Sequence, residues 1–181
     1  MKNKLILAIV GMCGSGKSEV VKYLKEKNNW PSVYLGEITF DRLREENLAV
    51  NEKNERYMRE KIRAEHGMGA YAILSLPKIE KLLENNNTVI VESLYSWSEY
   101  KILKEKFSDD FKVLAVTASP AVRYARLKNR AERQMSEEQS CVRDYSEIEN
   151  IEKGGPIAIA DYTVVNESNF QDLQEKLNSV I

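Results

Sequence analysis

Two cysteines and one histidine are all that 181 residues hold of the side chains most used for disulfides and transition-metal sites. Cys13 and Cys141 stand in unrelated contexts, which argues against a disulfide framework and for a reducing, cytoplasmic setting. His66, followed by Gly67-Met68-Gly69, reads as a helix-end residue, and no metal-ligand spacing includes it. The formal net charge of −1 leaves no global basic field, so neither nucleic acid nor a membrane surface is an expected partner. No stretch approaches the roughly 20 apolar residues of a membrane span. The first ten residues look like a core strand and lack a signal-peptide cleavage site. Internal repeats, low-complexity tracts and linkers are missing as well, so residues 1–181 read as one domain. An N-K-x-D motif is also absent, which sets aside a guanine-reading GTPase.

What is present begins with Gly11-Met12-Cys13-Gly14-Ser15-Gly16-Lys17-Ser18, a match to G-x-x-x-x-G-K-[ST]. A loop of this kind wraps a triphosphate closely enough for consecutive backbone N–H groups to point at its oxygens, and side chains at the glycines would obstruct that approach. Lys17 suits the β- and γ-phosphates, and the Ser18 hydroxyl suits Mg²⁺. Cys13 reads as a small filler of the loop, with a reactive thiol as the alternative. The context agrees. Leu5–Val10 is a continuous apolar run of the kind found in buried parallel strands. Val20, Val21 and Leu24 then form a helical stripe, so a helix starts inside the motif with its positive end at the phosphates.

Further apolar runs at Ser32–Leu35, Thr88–Glu92, Val113–Val116 and Tyr162–Val165 alternate with helical patterns, which predicts an α/β fold with a parallel sheet covered on both faces. Helices are expected at about Thr39–Glu46 and Glu52–His66. Others should run through Ala72–Leu83, with Pro77 as a kink or first-turn residue, through Trp97–Phe107, and from Val122 to about Arg133. Ser136 with Gln139 forms a capping box, Gly154-Gly155-Pro156 reads as a loop, and Phe170 to Val180 stripes a final helix.

Three further positions carry chemistry. Glu92 ends an otherwise apolar strand and suits the acid that holds Mg²⁺ or its waters; a solvated strand end is the plainer alternative. Arg123, Arg126, Arg130 and Arg133 crowd one basic segment, and Arg126 and Arg130 are spaced to leave one helix face. Such charges stabilise phosphoryl transfer, or else they pair on a solvated surface with Glu132, Glu137 and Glu138. Glu37 follows the second strand, where it either orients and deprotonates an acceptor or caps the next helix.

Together these residues resemble the P-loop kinases of nucleoside monophosphates and of dephospho-coenzyme A. The closer likeness is to a mainly archaeal, little-characterised family of adenylate-kinase-related P-loop ATPases. It spans nearly the whole chain, through Gly11–Ser18, Leu35-Gly36-Glu37, Arg63–Gly67, Val89–Ser93 and Ala118-Ser119-Pro120. It continues with Arg126–Arg130, Arg143-Asp144 and Ile159–Glu167. The resemblance implies a three-layer α/β/α fold with a five-stranded parallel sheet of order 2-3-1-4-5. It also implies an acceptor-binding helical segment at about 37–70 and a short arginine-bearing lid at about 126–143. Nucleotide binding then falls to the loop residues from Gly11 to Ser18 (Met12, Cys13, Gly14, Ser15, Gly16 and Lys17 among them), with Arg126 near the adenine or the phosphates and Asn166 in the loop that passes the adenine. Lys17, Arg126, Arg130 and Glu37 take catalytic roles, Glu37, Arg42 and Arg44 bind the acceptor, and Ser18 and Glu92 hold Mg²⁺. Three positions depart from the family pattern: Glu92-Ser93 replaces Asp-Gly, while Phe40 and Tyr95 stand where arginines are usual. The expected activity is transfer of the ATP γ-phosphoryl to a nucleotide-like small molecule, a nucleoside monophosphate first and dephospho-coenzyme A second. A nucleotide-dependent switch that hydrolyses ATP slowly and binds a partner protein is the alternative from another class.

Overall fold

The computed structural model describes residues 4–181. Leu5–Val10 forms strand β1, and its alternating side chains serve two cores. Ile6, Ala8 and Val10 enter one core, and Leu7 and Ile9 enter the other. A strand buried on both sides has no polar face to present, hence the unbroken apolar run. Helix α1 (Lys17–Asn28) lays Val20, Val21 and Leu24 on Leu7 and Ile9. It stops at Asn29, whose left-handed backbone (φ 55°) returns its N–H to the Lys25 carbonyl.

The chain continues through β2 (Ser32–Tyr34), α2 (Glu37–Glu45), α3 (Glu52–His66), α4 (Ala70–Asn85), β3 (Thr88–Glu92) and α5 (Trp97–Phe107). It ends with β4 (Phe111–Thr117), α6 (Pro120–Asn129), α7 (Glu137–Ile151), α8 (Gly154–Ala158), β5 (Tyr162–Val165) and α9 (Phe170–Val180). Leu43 of α2, Met58 and Ile62 of α3, Ile79 of α4 and Leu103 of α5 close the core on the Ile6 face. Leu173 and Leu177 of α9 join α1 on the opposite face.

The sheet has five strands in the order β2-β3-β1-β4-β5, and every pairing is parallel. This is the expected P-loop architecture. Register sets Ile9 beside Glu92 on one flank of β1 and Val10 beside Ala115 on the other. The connections leaving the carboxyl ends of β1 and β3 run in opposite directions across the sheet. They part there and leave a crevice of the kind in which open α/β sheets hold ligands.

Local structure sets aside one alternative, Pro77 as a first-turn residue, and departs from the sequence-based expectation in two places. Pro77 lies in the interior of α4; the carbonyl four residues earlier belongs to Ile73, which is 42% exposed, so solvent can serve the group that the proline leaves without a donor. The basic helix α6 ends at Asn129, short of Arg133. Arg130 is extended (φ −71°, ψ 153°), and Arg133 turns left-handed (φ 53°). The guanidinium of Arg130 donates to the Arg133 carbonyl, and the Met135 N–H returns to the Leu127 carbonyl at 3.2 Å. Arg126 and Arg130 therefore do not share a helix face. Finally, Gly154–Ala158 is helical where a loop was expected. Pro156 sits in the first turn, where no N–H is needed, and a Cβ on Gly155 would meet the Trp97 ring at 2.8 Å.

Candidate active site

The turn after β1 is built around Gly16, the N-cap of α1, in the left-handed region at φ 99°. A Cβ there would lie 2.2 Å from Nδ2 of Asn166, which donates to the Ser15 carbonyl at 2.9 Å. The strand-five end is thus clamped to the loop, and only glycine fits between them. No side chain caps α1, so the first-turn amides of Lys17 and Ser18 are left without intrahelical partners. Ser15 is fully buried and its hydroxyl has no hydrogen-bond partner among the described residues.

Arg126 reaches the same corner. Its guanidinium donates to the Asn166 carbonyl at 2.9 Å and lies 3.5 Å from the side-chain oxygen. The sequence expectation put Arg126 near the adenine or the phosphates and Asn166 in the loop that passes the adenine; the fold brings the two residues together. Arg130 sits apart, tied to its own turn. Arg133 extends across the crevice to α3, with a guanidinium nitrogen 3.3 Å from the buried carboxylate of Glu55.

Lys17 donates to the Met12 carbonyl at 2.9 Å. Burial, then the neighbouring charges of Lys153 and Arg143, lower its pKa to about 7 against the opposing influence of Cys13 and Glu147. This is the central electrostatic feature of the site. Three cations from distant parts of the chain crowd together, and a single carboxylate serves two of them. Glu147 holds Arg143 at 3.0 Å and Lys153 at 2.5 Å. Burial opposes the charge on Glu147, yet Lys153 and Arg143 keep its carboxyl below the usual range. Lys153, itself buried, also lies 4.3 Å from the centre of the Tyr95 ring. Burial pushes the Tyr95 phenol up, and its hydroxyl donates to Ser93 at 3.2 Å.

Sequence reasoning missed most of this cluster. Arg143 entered only as part of a resemblance, Tyr95 only as a departure, and Glu147 and Lys153 not at all. One signal was available: Arg143 and Glu147 are spaced i,i+4, so they share a helix face. Arg123, grouped with the basic segment, is buried and structural. It binds the Ala118 carbonyl (3.1 Å), the Cys13 carbonyl (3.0 Å) and both oxygens of Asp144 (3.0 and 2.6 Å).

Glu37 opens α2 and pairs with Lys78. Arg42 lies 3.6 Å from Glu45, and Arg44 pairs with Asp41, so both have partners on their own helix. Phe40 packs against the core. Glu92 closes β3 beside Ile9 and Tyr34, half-exposed, with Lys25 at 4.0 Å. Among the described residues no group of histidine, cysteine and acidic side chains forms a metal cage by itself.

Comparison with known proteins bears on the family and the fold. The family described as AAA domain matches residues 7–161. A UPF0200 protein of Pyrococcus abyssi is 34% identical over 180 residues, covering 98% of this chain and 95% of its own length. A UPF0200 protein of Pyrococcus furiosus is 37% identical over 184 residues, covering 98% and 96%. Among solved structures, a shikimate kinase from Bacteroides thetaiotaomicron superposes with a TM-score of 0.62 at 14% identity, over 97% of this chain and 96% of that one. A gluconokinase from Sinorhizobium meliloti gives 0.55 at 16% identity, over 98% and 90%. At such identities the likeness is one of fold.

Proposed function

The chain belongs to the UPF0200 proteins and shares the fold of P-loop kinases, and from that premise we propose that it is a phosphotransferase moving the ATP γ-phosphoryl to a nucleotide-like small molecule. The observation that carries this reading is the convergence of Lys17, Arg143 and Lys153 beside the uncapped N-terminus of α1, with Glu147 pairing Arg143 and Lys153 and leaving Lys17 without a carboxylate partner of its own. A polyanion suits such a place. It supplies the charge that the cations lack and accepts from the free amides of the first helical turn.

In this reading Gly11–Ser18 cradle the triphosphate, and Arg126 and Asn166 hold the adenine side. Lys17, Arg126 and Arg130 stabilise charge on the transferred group. Arg143 and Lys153 act beside Lys17, a role that follows from their position. Glu37 orients the acceptor or takes its proton, and Arg42 and Arg44 lie on the acceptor-binding segment. The Ser18 hydroxyl and Glu92 carboxylate are hard oxygen donors. They fit Mg²⁺, which keeps waters and substrate phosphates as its other ligands and so needs no protein cage. Its contribution when bound is to neutralise charge on the bridging phosphates.

One observation favours the second reading, a nucleotide-dependent switch: Phe40 replaces the usual acceptor arginine, while Arg42 and Arg44 pair along α2. A coupled ADP-release assay separates the two. Nucleoside monophosphates, dephospho-coenzyme A, shikimate and gluconate form the acceptor panel. Turnover stimulated by any acceptor supports the kinase; slow hydrolysis indifferent to all of them supports the switch.

A further inference from the structure

Helix α7 is amphipathic in the reverse sense. The residues it buries are Ser140 and Asp144, and the half-buried Arg143 and Glu147 complete an inner face that holds the body of the protein through ion pairs. Its apolar side chains point away. Val142 is 62% exposed, Tyr145 62% and Ile148 48%. At about 100° per residue these three fall on one outer arc, together with Glu138, Glu149 and Glu152. No basic side chain falls within that arc: Lys153 is buried, and Arg143, 40% exposed and bordering Val142 and Glu138, lies about 100° round the helix from Val142, paired with Glu147. At the end of α7 the arc runs into an apolar groove of about 310 Å³, lined by Trp97, Gly155, Ala158, Ile159 and Glu152 itself.

An ordinary surface helix buries its apolar stripe and shows its charges; a helix anchored by its polar face leaves large apolar side chains in water, a loss that a partner's apolar face would recover. We infer that the outer arc of α7, with the groove beyond it, is a docking surface for a basic amphipathic segment of another protein. Charge complementarity selects this occupant. A second copy pairing through the same arc would set Glu138, Glu149 and Glu152 against their own kind. Nucleic acid and anionic lipid headgroups meet the same carboxylates and are repelled. A helix carrying leucine-like anchors at i, i+3 and i+7 between lysines or arginines meets both features at once. This inference is independent of the phosphoryl-transfer reading, since it draws on the outer face of α7 and not on Lys17.

The test uses the full chain and three labelled peptides: leucine and lysine at helical spacing, leucine and glutamate at the same spacing, and alanine and lysine. Fluorescence anisotropy at low ionic strength should give the leucine–lysine peptide a Kd below about 100 μM, weakening as salt is added. The double variant Tyr145→Ser, Ile148→Ser should weaken it at least tenfold, and the reversal Glu149→Lys, Glu152→Lys should do the same. Both pairs are exposed, so the thermal midpoint should hold. Equal binding by wild type and double variant would overturn the inference, as would equal binding of the alanine–lysine peptide or preference for the leucine–glutamate peptide. A wild-type dimer in sedimentation that the double variant dissolves would also overturn it, in favour of a second copy as occupant.

Discussion

Arg123 and Asp144 face each other as a fully formed bidentate pair, with nitrogen–oxygen distances of 3.0 and 2.6 Å across 21 residues of sequence. The same aspartate accepts from the Tyr124 hydroxyl at 2.9 Å, and burial together with this bond pushes the Tyr124 phenol up to about 12. The same guanidinium also reaches the Cys13 carbonyl, so one buried link joins the phosphate-type loop, α6 and α7. Alternate neighbours on α7 then divide the work: Asp144 fixes the helix, and Arg143 is left beside Lys17.

Breaking this pair should be costly. Asp144→Ala leaves the Arg123 charge buried with only carbonyl partners, and one-sided loss of a buried pair costs about 3–5 kcal/mol. Urea unfolding should show the midpoint falling accordingly. A change below about 1 kcal/mol would mean that water replaces the carboxylate freely and that the link does not anchor α7.

Lys17→Ala should lower phosphoryl transfer by about 10²–10³-fold, the scale for removing one preorganised charge contact, while the fold persists. Steady-state turnover with saturating ATP, alongside a thermal melt, checks both halves. A variant that retains half of wild-type turnover is incompatible with the proposed role.

Nucleotide binding should take up a proton. Lys17 titrates near pH 7 because of burial and the charges of Lys153 and Arg143, and a triphosphate beside it favours the protonated form. With the pKa raised on binding, affinity is greatest below about pH 7 and declines as the pH rises from there toward the bound-state pKa. Folding carries the opposite sign: Lys17 folds with a lowered pKa, so its protonation opposes stability below about pH 7, and the penalty fades as the pH rises toward 10.5. Titration calorimetry at pH 8 in buffers of different ionisation enthalpy measures the uptake directly. It should vanish in Lys17→Met, and undiminished uptake in that variant would place the titrating group elsewhere.

Glu92→Gln should weaken Mg²⁺-dependent turnover more than nucleotide binding measured with chelator present. The substitution keeps the shape of a donor at the end of β3 and removes its charge. Equal losses in both assays would reassign Glu92 to its partner Lys25, 4.0 Å away.

The strands were legible because a doubly buried strand leaves an unbroken apolar run, and Leu5–Val10 and Thr88–Glu92 formed where those runs lay. The Ser136–Gln139 capping box likewise marked the start of α7. The phosphate-type loop was legible for a different reason, since its function constrains consecutive residues. The remainder of the site was not, because Arg143, Glu147 and Lys153 reach Lys17 only after α7 has docked. That docking depends on Arg123, which local sequence could not distinguish from its solvated neighbours: nothing within one helical turn reveals that it is buried. Helix α8 was hidden by composition, as Gly154-Gly155-Pro156 reads as a loop, while Gly155 is there because the Trp97 ring leaves no room for a side chain.

The last prediction concerns what moves. The resemblance implied a lid from about 126 to 143, but its two ends differ physically. Arg126 is bonded to Asn166, and α7 is capped by Ser136 and anchored by Asp144. Between them, residues 130–136 have no buried side chain, and their bridge to α3 is Arg133 to Glu55 at 3.3 Å. The Arg133 side chain is 67% exposed, so solvent screens the pair and it is worth at most about 1 kcal/mol. Opening of 130–136 therefore costs little, while opening of α7 requires parting Arg123 from Asp144. We propose that the mobile part of the lid is this short strap. Amide exchange should be fast across 130–136 and slow in α7, and an ATP analogue should slow the strap while leaving α7 unchanged. Arg133→Ala should speed exchange in the strap with little effect on the unfolding midpoint, and Arg130→Ala should reduce turnover more than nucleotide binding. If the analogue protects residues 137–143 as strongly as 130–136, the whole span moves as one body and the Arg123–Asp144 link must open with it.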